Sequence, residues 1–210
     1  MSATGFRNGI VNAKAVKLEQ KRFKQDVYPY VLSSATILKA SVSVTSTTAF
    51  TLGTSAGVPR ALKVVNNLQA ASGAKMKLVI KGYTGEGNYN EETLTLSSAA
   101  TGRTAGNVAF AYVTEIVPAL ATKGYGTYST VSIYPTDKFG LTEYCESEGD
   151  VKEVVSWGAT AGNQYKATAY PINSTTFSPV YNTLDLTACG VAGSTIAIKY
   201  LSKFQRKDTM

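Results

Sequence analysis

A chain of 210 residues is long enough to bury a real core, but this one has no histidine, two cysteines and sparse charge. Without histidine there is no Ser–His–Asp triad, no Cys–His pair and no histidine-based zinc site, and two thiols do not make a four-thiolate one. The net charge of +7 sits at the ends: residues 1–26 carry six basic side chains against two acidic, residues 199–210 four against one, and the stretch between carries eleven of each.

Residues 1–35 read as an extended basic arm. It holds Arg7, Lys14, Lys17, Lys21, Arg22 and Lys24, interrupted by Val16, Leu18 and Phe23. Those apolar residues do not line one helical face, so the arm is expected to order only against a neighbour. DNA-binding arms carry denser basic runs, so docking on protein is expected here, with no specific nucleic acid. The opening Met1-Ser2-Ala3-Thr4-Gly5 is polar and lacks the apolar core of a secretory signal, which predicts synthesis in the cytoplasm. No apolar run approaches the ~18 residues of a membrane span, so no membrane partner is expected. Val27 to Leu32 reads as a short edge strand, because Pro29 cannot donate to a ladder.

The body, residues 36–202, is rich in Thr, Val, Ala, Gly and Tyr, and its short alternating runs predict an all-β fold. Leu38 to Thr45, Thr48 to Leu52 and Arg60 to Val65 read as strands. Lys75 to Leu141 reads as a β-meander. It contains Lys77 to Gly82, the loop Tyr83 to Asn90, Glu91 to Leu96, Val108 to Ile116 and Val131 to Leu141. Leu120 to Ser129 reads as a loop, with Tyr125 between Gly124 and Gly126. Val151 to Trp157 and Thr195 to Leu201 are the last strands before a basic tail, 203–210, with Lys203, Arg206 and Lys207. Ten to twelve strands at this spacing predict a β-sandwich or a barrel-like variant of one, with no solenoid repeat.

Several of these segments, taken in order, carry a resemblance. They are Pro59-Arg60-Ala61-Leu62-Lys63-Val64, Leu78-Val79-Ile80-Lys81-Gly82-Tyr83, Glu91-Glu92-Thr93-Leu94-Thr95-Leu96 and Ala109-Phe110-Ala111-Tyr112-Val113-Thr114-Glu115-Ile116. Asp137-Lys138-Phe139-Gly140-Leu141, Tyr181-Asn182-Thr183 and Ile196-Ala197-Ile198-Lys199-Tyr200-Leu201 complete them. Over roughly residues 59–202 the chain resembles a family of tailed-bacteriophage virion proteins of the capsid decoration, or cement, type. Where that family has a Gly-Thr-Gly-Asp-like turn, this chain has Tyr134-Pro135-Thr136-Asp137. The resemblance implies a non-enzymatic β-sandwich on the capsid surface that binds the major capsid protein and neighbouring copies. Similar patterns also look like tail and head-fibre proteins, which keeps open a ring at the tail or the head–tail junction, with tail or connector proteins as partners.

Thirteen tyrosines are a high share, and tyrosine anchors interfaces by burying much area at small entropic cost. Tyr28, Tyr30, Tyr83, Tyr89 and Tyr125 fall at loop or edge positions and are the expected contact residues; stacking of such tyrosines on sugar rings is a third functional reading. Glu143, Glu146, Glu148 and Asp150 fall within eight residues. They read as a solvated loop or as an acceptor for a basic arm, and a glycosidase carboxylate pair is the weakest reading. Glu86, Glu91 and Glu92 beside Asn88 and Asn90 do not match an EF-hand spacing, and on a strand Glu91 and Glu92 point to opposite faces. No catalytic set, metal or cofactor is expected. Cys145 and Cys189 read as reduced thiols, with their pairing open.

Overall fold

The structure is a computed structural model that describes residues 18–19, 22–27, 37–44, 48–53, 58–67, 76–97, 102–119, 130–157, 168–169, 176–187, 195–203 and 205–206. The fold is all-β, and among the described residues the one helical turn is a 3-10 turn at Glu148–Asp150. The strands are β1 (Leu18–Glu19), β2 (Arg22–Val27), β3 (Lys39–Ser43), β4 (Arg60–Asn67), β5 (Lys77–Thr84), β6 (Tyr89–Thr95) and β7 (Arg103–Ala119). They continue as β8 (Thr130–Gly140), β9 (Val151–Trp157), β10 (Thr168–Ala169), β11 (Phe177–Ser178), β12 (Thr183–Asp185), β13 (Thr195–Leu201) and β14 (Gln205–Arg206).

The large sheet runs β11-β12-β8-β4-β7-β5-β6, with β3 also on β8, and curls into a half-barrel. The meander expected over Lys75–Leu141 is not what forms. β5 and β6 do make a hairpin, but β7 crosses to the other side of β5, and β8 pairs with β4 instead of β7. The reason lies in the length of β7. Its first half pairs with β4, from Arg103↔Val65 to Phe110↔Arg60, and its second half with β5, from Phe110↔Thr84 to Ala119↔Lys77. Register shifts at Ala61/Lys63, Lys81/Gly82 and Tyr83/Thr84 let one strand serve two partners, since bulges bend and twist a sheet. Gly82 is needed at this crossing: a Cβ there would lie 2.2 Å from the Tyr112 carbonyl oxygen.

Inside the half-barrel, alternating residues from these strands make one core, including Leu62, Val64, Leu78, Ile80, Leu94, Phe110, Ile116 and Ile133. Glu92 reaches from β6 to the first half of β7. Its Oε1 accepts the Asn107 N–H at 2.6 Å and the Val108 N–H at 3.4 Å, in the role a paired carbonyl would fill. Burial raises its pKa, against those two N–H groups and the charge of Lys138, whose Nζ donates to Asn107 Oδ1 at 2.7 Å.

A second sheet, β10-β9-β13-β2, packs on the end of the first. Between them lies a second core of Phe139, Leu141, Cys145, Val151, Val154, Phe177, Leu184, Ile196, Ile198 and Tyr200. Where the two cores meet, Arg60 is buried. Its Nε donates to the Thr136 carbonyl at 2.7 Å, its Nη2 pairs with Asp137 Oδ1 at 3.0 Å, and its guanidinium lies 4.6 Å over the Phe139 ring.

Arg22–Val27, assigned from sequence to an arm awaiting a neighbour, is instead a strand of this second sheet, pairing with β13 of its own chain from Arg22↔Leu201 to Val27↔Ile196. Phe23, whose apolar side chain argued for docking on protein, stacks on Tyr200 with ring centroids 5.7 Å apart. β1 pairs with β14, so part of the basic arm and part of the basic tail meet: Leu18 lies opposite Arg206. Side chains of Leu18, Lys24 and Arg206 are outside the described set, as are residues Arg7, Lys14, Lys17, Lys21, Tyr28, Tyr30, Tyr125, Lys207 and Cys189, and the predicted edge strand beyond Val27.

Candidate interaction surface

Two hairpin strands and the strand beside them bring three tyrosines into one row. In the register of β6, β5 and β7, Tyr89 lies opposite Tyr83 and Tyr83 opposite Tyr112. Residues in register on neighbouring strands share a face about 4.8 Å apart. All three are exposed, at 53%, 45% and 64% respectively, on the outside of the half-barrel. The Tyr83 and Tyr89 rings meet edge to face with centroids 5.7 Å apart. With ~150–250 Å² per tyrosine, about half of it exposed, the row presents on the order of 300 Å² of aromatic surface. That is the size at which the largest patch on a monomer is often functional.

The next rung holds the row in place. Lys81 lies between Glu91 and Glu115 in register, and its Nζ is 2.7 Å from Glu115 Oε1. That hydrogen bond raises the Lys81 pKa. Tyr89 donates its hydroxyl to Glu91 Oε1 at 2.9 Å, which raises its own pKa and keeps it neutral. Glu91 therefore faces out with the tyrosines while Glu92 turns in, as alternation on a strand requires.

Below the hairpin, Asn182 is a hub. It has φ +49°, its Nδ2 donates to Glu86 Oε1 and to the Glu143 carbonyl, and its Oδ1 accepts the Cys145 N–H at 3.1 Å. Asparagine tolerates this left-handed conformation better than most residues, and hydrogen bonds of its backbone and side chain to residues far away in the chain over-determine it. Leu141 N–H donates to the Asn182 carbonyl as well. The hub ties the loop at Glu86 to the segment after β8, and a small pocket of about 100 Å³ with mixed polar and apolar walls opens beside it, lined in part by Glu86, Asn88, Asn90, Tyr144 and Tyr181.

The acidic cluster is mostly tied into local structure. Glu146 lies 3.6 Å from Lys203, whose N–H donates to the Tyr144 carbonyl and whose ammonium sits 5.5 Å over the Tyr144 ring. Asp150 Oδ2 accepts from the Ser147 hydroxyl at 3.0 Å, and the Glu143 N–H donates to the Tyr200 hydroxyl. An acidic acceptor for a basic end thus exists within one chain, with Lys203 as its cation. Glu148 is exposed on the 3-10 turn. Cys145 is buried and free, its thiol donating to the Ser147 carbonyl. Among the described residues, no group of three or more His, Cys, Asp or Glu is placed to hold a metal ion. No described helix is long and apolar enough to cross a membrane.

The chain matches no family model, no curated protein and no solved structure. Its surface is therefore read from its own geometry. That geometry brings together Tyr83 and Tyr89 of the sequence-predicted contact residues and keeps Glu143–Asp150 on a separate loop near β13. Sequence reasoning missed Tyr112, Tyr144 and Tyr181. Tyr112 follows Ala111, and both are exposed because the register shift at Tyr83/Thr84, which leaves Ala111 unpaired, breaks alternation in β7. Nothing local to residue 112 signals that break.

Proposed function

We propose that this protein is a non-enzymatic structural component of a tailed-phage virion, bound to the major capsid protein or a neighbouring shell protein through the Tyr89–Tyr83–Tyr112 face. The observation that carries the reading is that contiguous exposed aromatic row on a rigid sheet. Sheet-borne tyrosines lose little side-chain entropy on binding, and many copies on a symmetric lattice multiply a modest contact. The order of sequence motifs over residues 59–202 supplies the assignment to virions. On this reading the protein stabilises the shell by covering seams between capsid subunits. Quantitative mass spectrometry of purified particles is the test. A ratio to the major capsid protein near one, or another simple lattice fraction, is expected; a handful of copies moves the protein to a tail or junction ring, and absence from particles overturns the reading. Tyr83→Ser/Tyr89→Ser/Tyr112→Ser should abolish incorporation while the free protein stays folded.

The pocket beside Asn182 favours a second reading. Tyr144 and Tyr181 flank Asn88, Asn90 and Glu86, the mixture of aromatic faces and planar polar groups that suits a sugar. A glycan-array signal lost on Tyr181→Ala would establish it; a blank array with incorporation intact would dismiss it.

A further inference from the structure

The end of the second sheet where β2 begins and β13 finishes carries a groove of about 410 Å³ lined by Phe23, Tyr200, Leu201, Arg22, Lys152 and Lys199. The Phe23–Tyr200 stack closes it on the side of the second core, where Tyr200 is buried, and Leu201 is its half-buried apolar residue. Among the described residues, its polar lining is cationic: Arg22, Lys152 and Lys199. Arg22 and Leu201 are opposed in register across β2 and β13, and Lys199 stands two residues before Leu201 on the same strand. Lys199 is bridged to Glu153 of β9, an exposed pair at 52% and 40% that contributes little and exchanges readily.

An anionic element lies directly beside this rim. Lys152 donates from Nζ to the Gly149 carbonyl, so the acidic loop with Glu146, Glu148 and Asp150 begins where the groove ends. Glu146 and Glu148 are exposed. One protomer therefore presents a cationic groove and an acidic loop side by side. Complementary patches that adjoin on one face are satisfied together by a two-fold axis between them, because each copy then gives its loop and receives the other's.

We infer that the groove is a self-association site that takes the acidic loop of a second copy of this chain. The two copies meet near Leu201, and Glu148 of each copy meets the cationic rim at Arg22 of the other. Three strands of about seven residues span roughly 23 Å by 10–14 Å, about 230–320 Å² per copy before the two loops are added, which is small against a standard interface. The dimer is accordingly weak and salt-sensitive. This inference goes beyond the virion assignment and stands if that assignment fails.

The test is sedimentation velocity on the free full-length protein. A concentration-dependent dimer is expected at low ionic strength, with dissociation at least about tenfold easier in 0.5 M NaCl, where the Debye length falls to a few Å. Arg22→Glu alone and Glu148→Arg alone should each remain monomeric, because either homodimer now sets like charges against each other twice. An equimolar mixture of the two variants should restore the dimer, since both contacts become complementary. Circular dichroism identical to wild type guards against misfolding. A wild-type monomer at all concentrations overturns the inference, as does a mixture that fails to associate. It is equally overturned if the monomer instead binds a short single-stranded DNA through Arg22 and Lys199, which would assign the groove to phosphate.

Discussion

Removing the Asp137 carboxylate should destabilise this protein more than any comparable surface change. Arg60 has a side chain 3% exposed and Asp137 one 13% exposed, at 3.0 Å, where the two cores join. In Asp137→Ala the guanidinium stays buried and loses its counter-charge. Breaking a buried pair from one side costs about 3–5 kcal/mol. Arg60 keeps the Thr136 carbonyl and the Phe139 face, so the low end, about 3 kcal/mol, applies. At about 2–4 °C per kcal/mol for a chain of this size, the thermal midpoint should fall by roughly 6–12 °C. Glu153→Ala breaks the exposed pair with Lys199 and serves as the control, expected to cost about 0.5 kcal/mol or less. Urea and thermal unfolding of both variants decide the matter. If Asp137→Ala falls within about 1 kcal/mol of Glu153→Ala, the Arg60 site is not the buried anchor described.

Gly82→Ala should cost about 1–3 kcal/mol or more, because its Cβ meets backbone at 2.2 Å, where no side chain can swing away. Gly106→Ala differs in kind: its Cβ would meet Glu92 Oε2 at 2.2 Å, so a double-mutant cycle with Glu92→Ala should show strong coupling, and additivity would refute the contact. Because burial raises the folded-state pKa of Glu92, the folded state holds that proton more tightly than the unfolded chain does. The stability it contributes is full below the ordinary carboxylate pKa and is lost as pH rises through the folded value. Glu92→Gln should therefore gain on wild type at pH 7, and the gap should close toward pH 4; a gap that widens toward acid contradicts the assignment. Burial pushes the Cys145 thiol up to about 11. In a Cys189→Ser background it should react with Ellman's reagent at pH 8 only on unfolding, and prompt native reactivity would refute its burial.

Local alternation was enough to read the all-β class, the β5–β6 hairpin and the opposed faces of Glu91 and Glu92. Each depends on a two-residue period and on glycine and asparagine at a turn, and these act between near neighbours in the chain. The missing histidines and the thiol count likewise bound the chemistry without any structure. Strand order did not follow from the same signals, because a period of two states which face is buried but not which strand lies alongside. β7 shows this plainly. Its 17 residues are shared between β4 and β5 by register shifts, and that sharing alone carries Tyr112 next to Tyr83. The buried Arg60–Asp137 pair, the Asn182 hub and the pairing of Arg22–Val27 with β13 join residues far apart in the chain. Burial of apolar area across those separations selects them, and that selection exists only once the sheets have curled and packed.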